Sequence, residues 1–161
     1  MAFNTQGIFE VHLSVADRRR SSDFYQRVLG FELATEIDRR DITFLWMGGH
    51  GAGMLGLWGP ECPDPPIVRG KGHFAMRLPK DEVIQAPAKL RELGITPLDF
   101  DGKPTDQAVV LAWMPAVSVY FKDPDGHSLE FISMLEDKPA SDLGVIAYSE
   151  WLGVSLSGRV T

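Results

Sequence analysis

Val117-Ser118-Val119-Tyr120-Phe121-Lys122-Asp123-Pro124-Asp125-Gly126-His127-Ser128-Leu129-Glu130-Phe131-Ile132 is the stretch whose reading decides the fold. Two alternating runs flank Asp-Pro-Asp-Gly, where proline presets a turn φ and glycine accepts a positive one, so the pattern predicts a β-hairpin. Period-two alternation puts Val119, Phe121, Leu129 and Phe131 on one face and Ser118, Tyr120, Ser128 and Glu130 on the other. Glu130 is thus a carboxylate in mid-strand. A glutamate is almost never enclosed without a partner or a metal, so Glu130 needs one wherever that face is covered.

Working outward, the same grammar appears twice. Ile8 to Val15 alternates as a strand, with Val11, Leu13 and Val15 on one side and Glu10, His12 and Ser14 on the other. Asp17 is placed to cap a helix whose apolar positions Phe24, Tyr25, Val28 and Leu29 precede Gly30. Strands are predicted at 31–37, 42–47 and 54–58. The Pro/Gly-dense stretch 59–72 reads as a linker, and the order then restarts. His73–Leu78 is a strand, Asp81 caps a helix with a kink expected at Pro87, Gly94 ends it, 95–100 is a strand, and 101–116 is a long loop before the hairpin.

The chain therefore reads as two copies of a β-α-β-β-β unit, an α+β fold. His12 and His73 occupy matching places 61 residues apart, and Leu29-Gly30-Phe31 matches Leu93-Gly94-Ile95 at an offset of 64. Each unit has one face covered by its helix. The two bare faces are expected to curl into an eight-stranded, cup-shaped, half-open barrel.

Alternation assigns His12, His73 and Glu130 to the bare faces. Two imidazoles and one carboxylate from three strands form the set that binds a divalent transition metal and leaves positions open for substrate. Ser14, Ser118 and Tyr120 share that parity as polar partners. Arg77 shares the face of His73, where it suits a carboxylate or phosphate on the ligand or a salt bridge with Glu10. Trp46 and Trp58 are read either as a pocket wall or as core. His50 and His127 read as turn residues rather than ligands.

At 161 residues the chain can bury a core without staples. A net charge of −6 argues against nucleic acid or an anionic membrane as partner, which leaves small molecules. Cys62 is the single cysteine, so no intrachain disulfide is available; with no apolar leader or membrane span, a cytoplasmic location is expected.

These residues carry a resemblance. Val11-His12-Leu13-Ser14-Val15, Phe24-Tyr25, Leu29-Gly30-Phe31, Gly72-His73 and Tyr120 to Phe131 are similar to the vicinal oxygen chelate superfamily, which includes glyoxalase I, fosfomycin-resistance thiol transferases, extradiol dioxygenases and bleomycin-binding proteins. The resemblance implies one domain over 1–135, with modules at 7–59 and 72–135, a linker at 60–71 and a tail at 136–161. It also implies a divalent ion (Mn, Fe, Ni or Zn) held by His12, His73 and Glu130, with Tyr120, Arg77 and Ser118 acting on a small oxygen-rich substrate in a lyase or transferase reaction. A metal-free sequestering protein gripping a planar compound between Trp46, Trp58 and Tyr120 is the alternative, and an extradiol dioxygenase is another. Departures separate the subfamilies: Gly56 stands where glyoxalase I carries a fourth ligand, Leu111, Ala112 and Trp113 stand where extradiol dioxygenases carry an acid–base histidine, and Met114 to Val117 replaces the cation loop of the fosfomycin enzymes. A homodimer is expected, with Leu143, Val145, Ile146, Tyr148, Trp151 and Leu152 packing the tail as a short helix on the barrel or the partner.

Overall fold

A computed structural model describes residues 7–63, 65, 69–158 and 160; most of the linker core, Asp64 and Pro66 to Val68, lies outside the described residues. The chain divides into two compact units, Met1–Gly72 with Asp123–His127, and His73–Lys122 with Ser128–Thr161. Among the described residues no helix is long and apolar enough to cross a membrane.

The first unit holds β1 (Glu10–Ser14), α1 (Arg18–Leu29), β2 (Glu32–Ile37), β3 (Ile42–Trp46) and β4 (Met54–Trp58). Its sheet runs β1-β4-β3-β2, with β1 and β4 parallel and the other pairs antiparallel. Asp17 caps α1 as its sequence position predicts, its carboxylate accepting from the amides of Arg19 and Arg20, and Gly30 closes the helix in the left-handed region. Thr43 receives the guanidinium of Arg18, which places α1 on the face that also carries Leu13, Leu45, Leu55 and Leu57. These leucines and Tyr25 are almost wholly buried, and each such side chain contributes roughly 1.5–3 kcal/mol. Arg18 is buried but matched: burial works against its charge, yet hydrogen bonds to Asp38 and Asp41 and the charge of Glu36 raise its pKa.

The turn Asp123–His127, which belongs to this unit, is more than a reversal. Asp123 accepts the Tyr25 hydroxyl at 2.9 Å and the amides of Asp125 and His127. Asp125 accepts from the Ala16 amide, Arg20 and the Ser21 hydroxyl, at the start of α1. His127 is 1% exposed, with Nδ1 accepting from the Gly72 amide and Nε2 2.8 Å from the Ser14 carbonyl. Burial first, then the charge of and bond to Asp123, raise the Tyr25 phenol, so it stays a donor.

The second unit holds β5 (His73–Arg77), α2 (Lys80–Glu92), β6 (Val109–Leu111), β7 (Ala116–Lys122), β8 (Ser128–Met134), β9 (Val145–Ala147) and α3 (Tyr148–Leu156). The sheet order is β5-β8-β7-β6-β9, and α2 packs on β7 and β8. Four expectations need correction. Residues 95–100 form no strand, because Pro97 lacks the N–H a ladder needs; only Leu98 makes isolated bridges, to Tyr120 and Pro104. The predicted 101–116 loop instead contains β6. The tail contributes the short strand β9 before the expected helix, giving nine strands rather than eight among the described residues. Finally, α2 starts one residue ahead of Asp81, on Pro79, with Asp81 and Glu82 in a first turn that favours negative charge, and it continues through Pro87.

Candidate metal centre

Strand register decides which side chains share the second unit's uncovered face. Ala75 lies opposite Glu130 and Glu130 opposite Tyr120, while His73 lies opposite Ser128 and Ser118 opposite Ile132. His73, Glu130, Tyr120 and Ser118 therefore occupy one face, as alternation predicts. Glu130 is 5% exposed and Ser118 fully buried. The Ser118 hydroxyl donates a short hydrogen bond to Glu130 Oε1. The other oxygen, Oε2, stands 3.3 Å from Nε2 of His73.

The tautomer of His73 follows from its other nitrogen. Nδ1 lies 3.1 Å from the Ser128 carbonyl oxygen, which only accepts, so Nδ1 carries a proton and donates it. In the neutral ring Nε2 then presents a lone pair to a carboxylate oxygen. Two acceptors at that distance repel unless a proton or a metal cation lies between them. A histidine donating from Nδ1 to a backbone carbonyl, with Nε2 aimed at a buried carboxylate, is a donor pair that fits a divalent transition metal.

His12 is placed differently. Its Nδ1 receives the Trp58 indole N–H at 2.6 Å, and since an indole only donates, the neutral ring keeps its proton on Nε2, 3.2 Å from Glu10 Oε1. As placed, ligation through Nε2 would need that proton to leave, and ligation through Nδ1 would displace the indole. Among the described residues no three His, Cys, Asp or Glu side chains gather closely enough to hold an ion. The pair brought together is His73 with Glu130.

The remaining expectations sort by surroundings. Trp58 is 4% exposed and packs with Ile42, Cys62, Ile37 and Phe44, so the core reading holds for it and it offers no open wall. His50 sits in a turn with its ring over Trp46, 4.7 Å between centroids. Gly56 pairs with His12 in the ladder, where a Cβ would stand 3.1 Å from the Phe44 ring and 3.2 Å from His12 Nδ1. A ligating side chain at Gly56 has no room without moving that ring. Arg77 is exposed on the edge strand, and Glu10 meets His12 rather than an arginine. Burial first, together with the charge of and hydrogen bond to Glu130, raises the Tyr120 phenol despite an opposing bond from Ser118, so Tyr120 stays a neutral hydroxyl.

Sequence reasoning missed the roles of Asp123, Asp125 and His127. The signal was present: three polar side chains in a five-residue turn exceed what the turn itself requires.

The comparisons with known proteins agree with this architecture. Residues 7–131 match the model of the Glyoxalase/Bleomycin resistance protein/Dioxygenase superfamily. A metallothiol transferase, FosB, of Lysinibacillus sphaericus is 29% identical over 129 residues, covering 78% of this chain and 81% of that protein. Glyoxylase I 4 of Arabidopsis thaliana is 30% identical over 128 residues, covering 74% of this chain and 67% of that protein. Among solved structures, an integron cassette protein from the mobile metagenome of a Halifax Harbour sewage outfall superposes with a TM-score of 0.65 at 35% identity, over 81% of this chain and 100% of the other. A lactoylglutathione lyase from Agrobacterium tumefaciens gives 0.62 at 26% identity, over 81% and 95%. From the paired β-α-β-β-β order and this match over most of its length, the chain belongs to the Glyoxalase/Bleomycin resistance protein/Dioxygenase superfamily.

Proposed function

We propose that the protein is a divalent-metal-dependent enzyme acting on a small oxygen-rich metabolite or xenobiotic, in a lyase or transferase reaction of the kind named for its relatives. The observation that carries this reading is His73 Nε2 standing 3.3 Å from the buried Glu130 carboxylate while Nδ1 is committed to the Ser128 carbonyl, which leaves Nε2 and Oε2 as a pair of candidate ligands on one face. His73 and Glu130 would hold the ion, with His12 completing the set once Trp58 or the Nε2 proton gives way. When bound, the ion supplies Lewis acidity toward substrate oxygens. The chain's own residues do the rest. Ser118 ties up Oε1 so that Glu130 offers a single oxygen; Tyr120, held protonated, donates a hydrogen bond to a substrate oxygen; and Arg77, exposed on the His73 face, receives an anionic substituent.

Metal analysis of protein purified without chelator tests this. Stoichiometric Mn, Fe, Ni or Zn, lost in His73→Ala, is expected; absence of metal together with no uptake of any of the four overturns the reading.

A homodimer that shares its metal sites belongs to the same proposal. In the tail Trp151 is buried at 1% exposure, Leu143, Val145, Ile146 and Tyr148 are half-buried, and Leu152 at 45% and Leu156 at 88% stay open, apolar surface that a second copy would cover. Mixing His12→Ala with Glu130→Ala chains decides it: one metal site regained per heterodimer is expected for shared sites, and none if each site is built within one chain.

A further inference from the structure

Both ring nitrogens of His12 are already committed. Nδ1 receives the Trp58 indole N–H at 2.6 Å, and Nε2, which must then carry the ring proton, lies 3.2 Å from Glu10 Oε1. The donor does not yield easily. Trp58 is 4% exposed, packs with Ile42 and Cys62, and has the Arg40 guanidinium 5.2 Å from its ring centroid. Its backbone is fixed as well, in register with Ser14 on one side and Ile42 on the other, and its carbonyl accepts the Val15 amide at 2.9 Å. The imidazole stacks 28° from parallel with the indole, centroids 5.5 Å apart, and meets the Phe44 ring edge-on at 5.9 Å. Gly56 completes this berth. A Cβ there would stand 3.2 Å from Nδ1 and 3.3 Å from Cε1, so the missing side chain is part of the space the ring fills.

We propose that Trp58 is a positioning residue that latches His12 in a form unable to bind a cation, so that His12 becomes a ligand only by leaving the indole. This deepens the metal-enzyme reading and rests on it. A cation takes an imidazole lone pair. The one lone pair of this neutral ring is held by the indole, and the proton on Nε2 has no other place on the ring while Nδ1 is occupied. Once the ring turns off the indole, Nδ1 takes a proton from solvent as Nε2 gives one up; the ring stays neutral and Nε2 presents a lone pair. That exchange leaves a buried indole N–H without its acceptor, a cost set against every ion the site accepts. The latch therefore lowers metal affinity, and removing its donor raises it. A tryptophan that merely packed beside His12 would do the opposite, because its loss would loosen a ligand and weaken binding.

The test compares the full chain with Trp58→Phe and Ile42→Val, each stripped with EDTA, by competition for Zn(II) against a fluorescent chelator. Trp58→Phe removes the donor and keeps a ring in the core, and it binds Zn(II) about tenfold tighter than the parent. Ile42→Val loosens the same cluster with the donor in place and leaves the affinity unchanged. Equal or weaker binding in Trp58→Phe, or an equal gain in Ile42→Val, overturns the latch. A second measurement needs no variant. In isotope-labelled parent, nuclear magnetic resonance should show a coupling across the hydrogen bond between Trp58 Nε1 and His12 Nδ1 without metal, lost at Zn(II) saturation. Its absence from the metal-free protein, or its persistence at saturation, also overturns the proposal. The same samples, offered Mn, Fe and Ni as well, separate the two readings. Uptake by Trp58→Phe alone upholds the latch while the enzyme reading falls, normal uptake by the parent with no gain in Trp58→Phe sinks only the latch, and uptake by neither sinks both.

Discussion

The two units share one β-α-β-β-β plan and use its matching histidines in opposite ways. In the first, His12 accepts from Trp58, keeps its proton on the nitrogen that faces Glu10, and stands beside a packed cluster of Ile42, Trp58 and Cys62. In the second, His73 donates to a backbone carbonyl and brings its other nitrogen to 3.3 Å from a buried carboxylate, with the Tyr120 ring beside it. The first unit also carries a polar network in the Asp123–His127 turn, which ties strand, helix and linker together. A duplicated fold fixes where a side chain sits, and its second nearest polar neighbour decides what that side chain can do.

Substitutions should therefore divide by unit. The largest effect is expected from Glu130→Gln, which keeps the shape and Ser118's neighbourhood but removes the charge: metal affinity should fall roughly a hundredfold, with the urea midpoint little changed because the His73 left behind is half exposed to solvent. A collapse in stability with metal uptake intact would break the division. Next, Asp123→Ala should cost about 3 kcal/mol, since one carboxylate serves the Tyr25 hydroxyl and two amides. Denaturant unfolding reads it, and metal stoichiometry should stay at the parent value.

Gly59→Ala should be smaller, about 2 kcal/mol. A Cβ there would stand 1.9 Å from the Asp41 carboxylate, which must then leave Arg18 and the Glu61 amide. The smallest is Tyr25→Phe, about 1 kcal/mol at neutral pH from the lost bond to Asp123. It also carries a sign. The folded phenol titrates above its ordinary value near 10, so its contribution is complete below pH 10 and fades as pH rises beyond it. Alkaline destabilisation above pH 10 should be weaker in the phenylalanine variant, and an unchanged alkaline limb would show that Tyr25 is not the group responsible.

Much of this was legible in the chain. Periodicity placed β1 and β4 and the capping residues Asp17 and Gly30, because local rules and tertiary packing agree there. It failed where three residues suffice for a strand: Val109–Leu111 and Val145–Ala147 are too short to show a period, and they become strands because β7 supplies the hydrogen bonds of the first and the first those of the second. For the candidate site, parity put His73, Glu130, Ser118 and Tyr120 on one face, as observed. Parity is blind to tautomers, which depend on a carbonyl 55 residues from His73 and an indole 46 residues from His12.

The pairing of β9 with β6 also bears on how the chain is made. Until Val145–Ala147 has been synthesised, the edge of the second sheet is Val109-Val110-Leu111, an apolar row with unpaired backbone groups, and that state lasts while about 30 further residues are added. At typical elongation rates this is a window of a few seconds in which another nascent chain, or a chaperone, meets a ready template. Three residues of the tail therefore act as a seal on that edge.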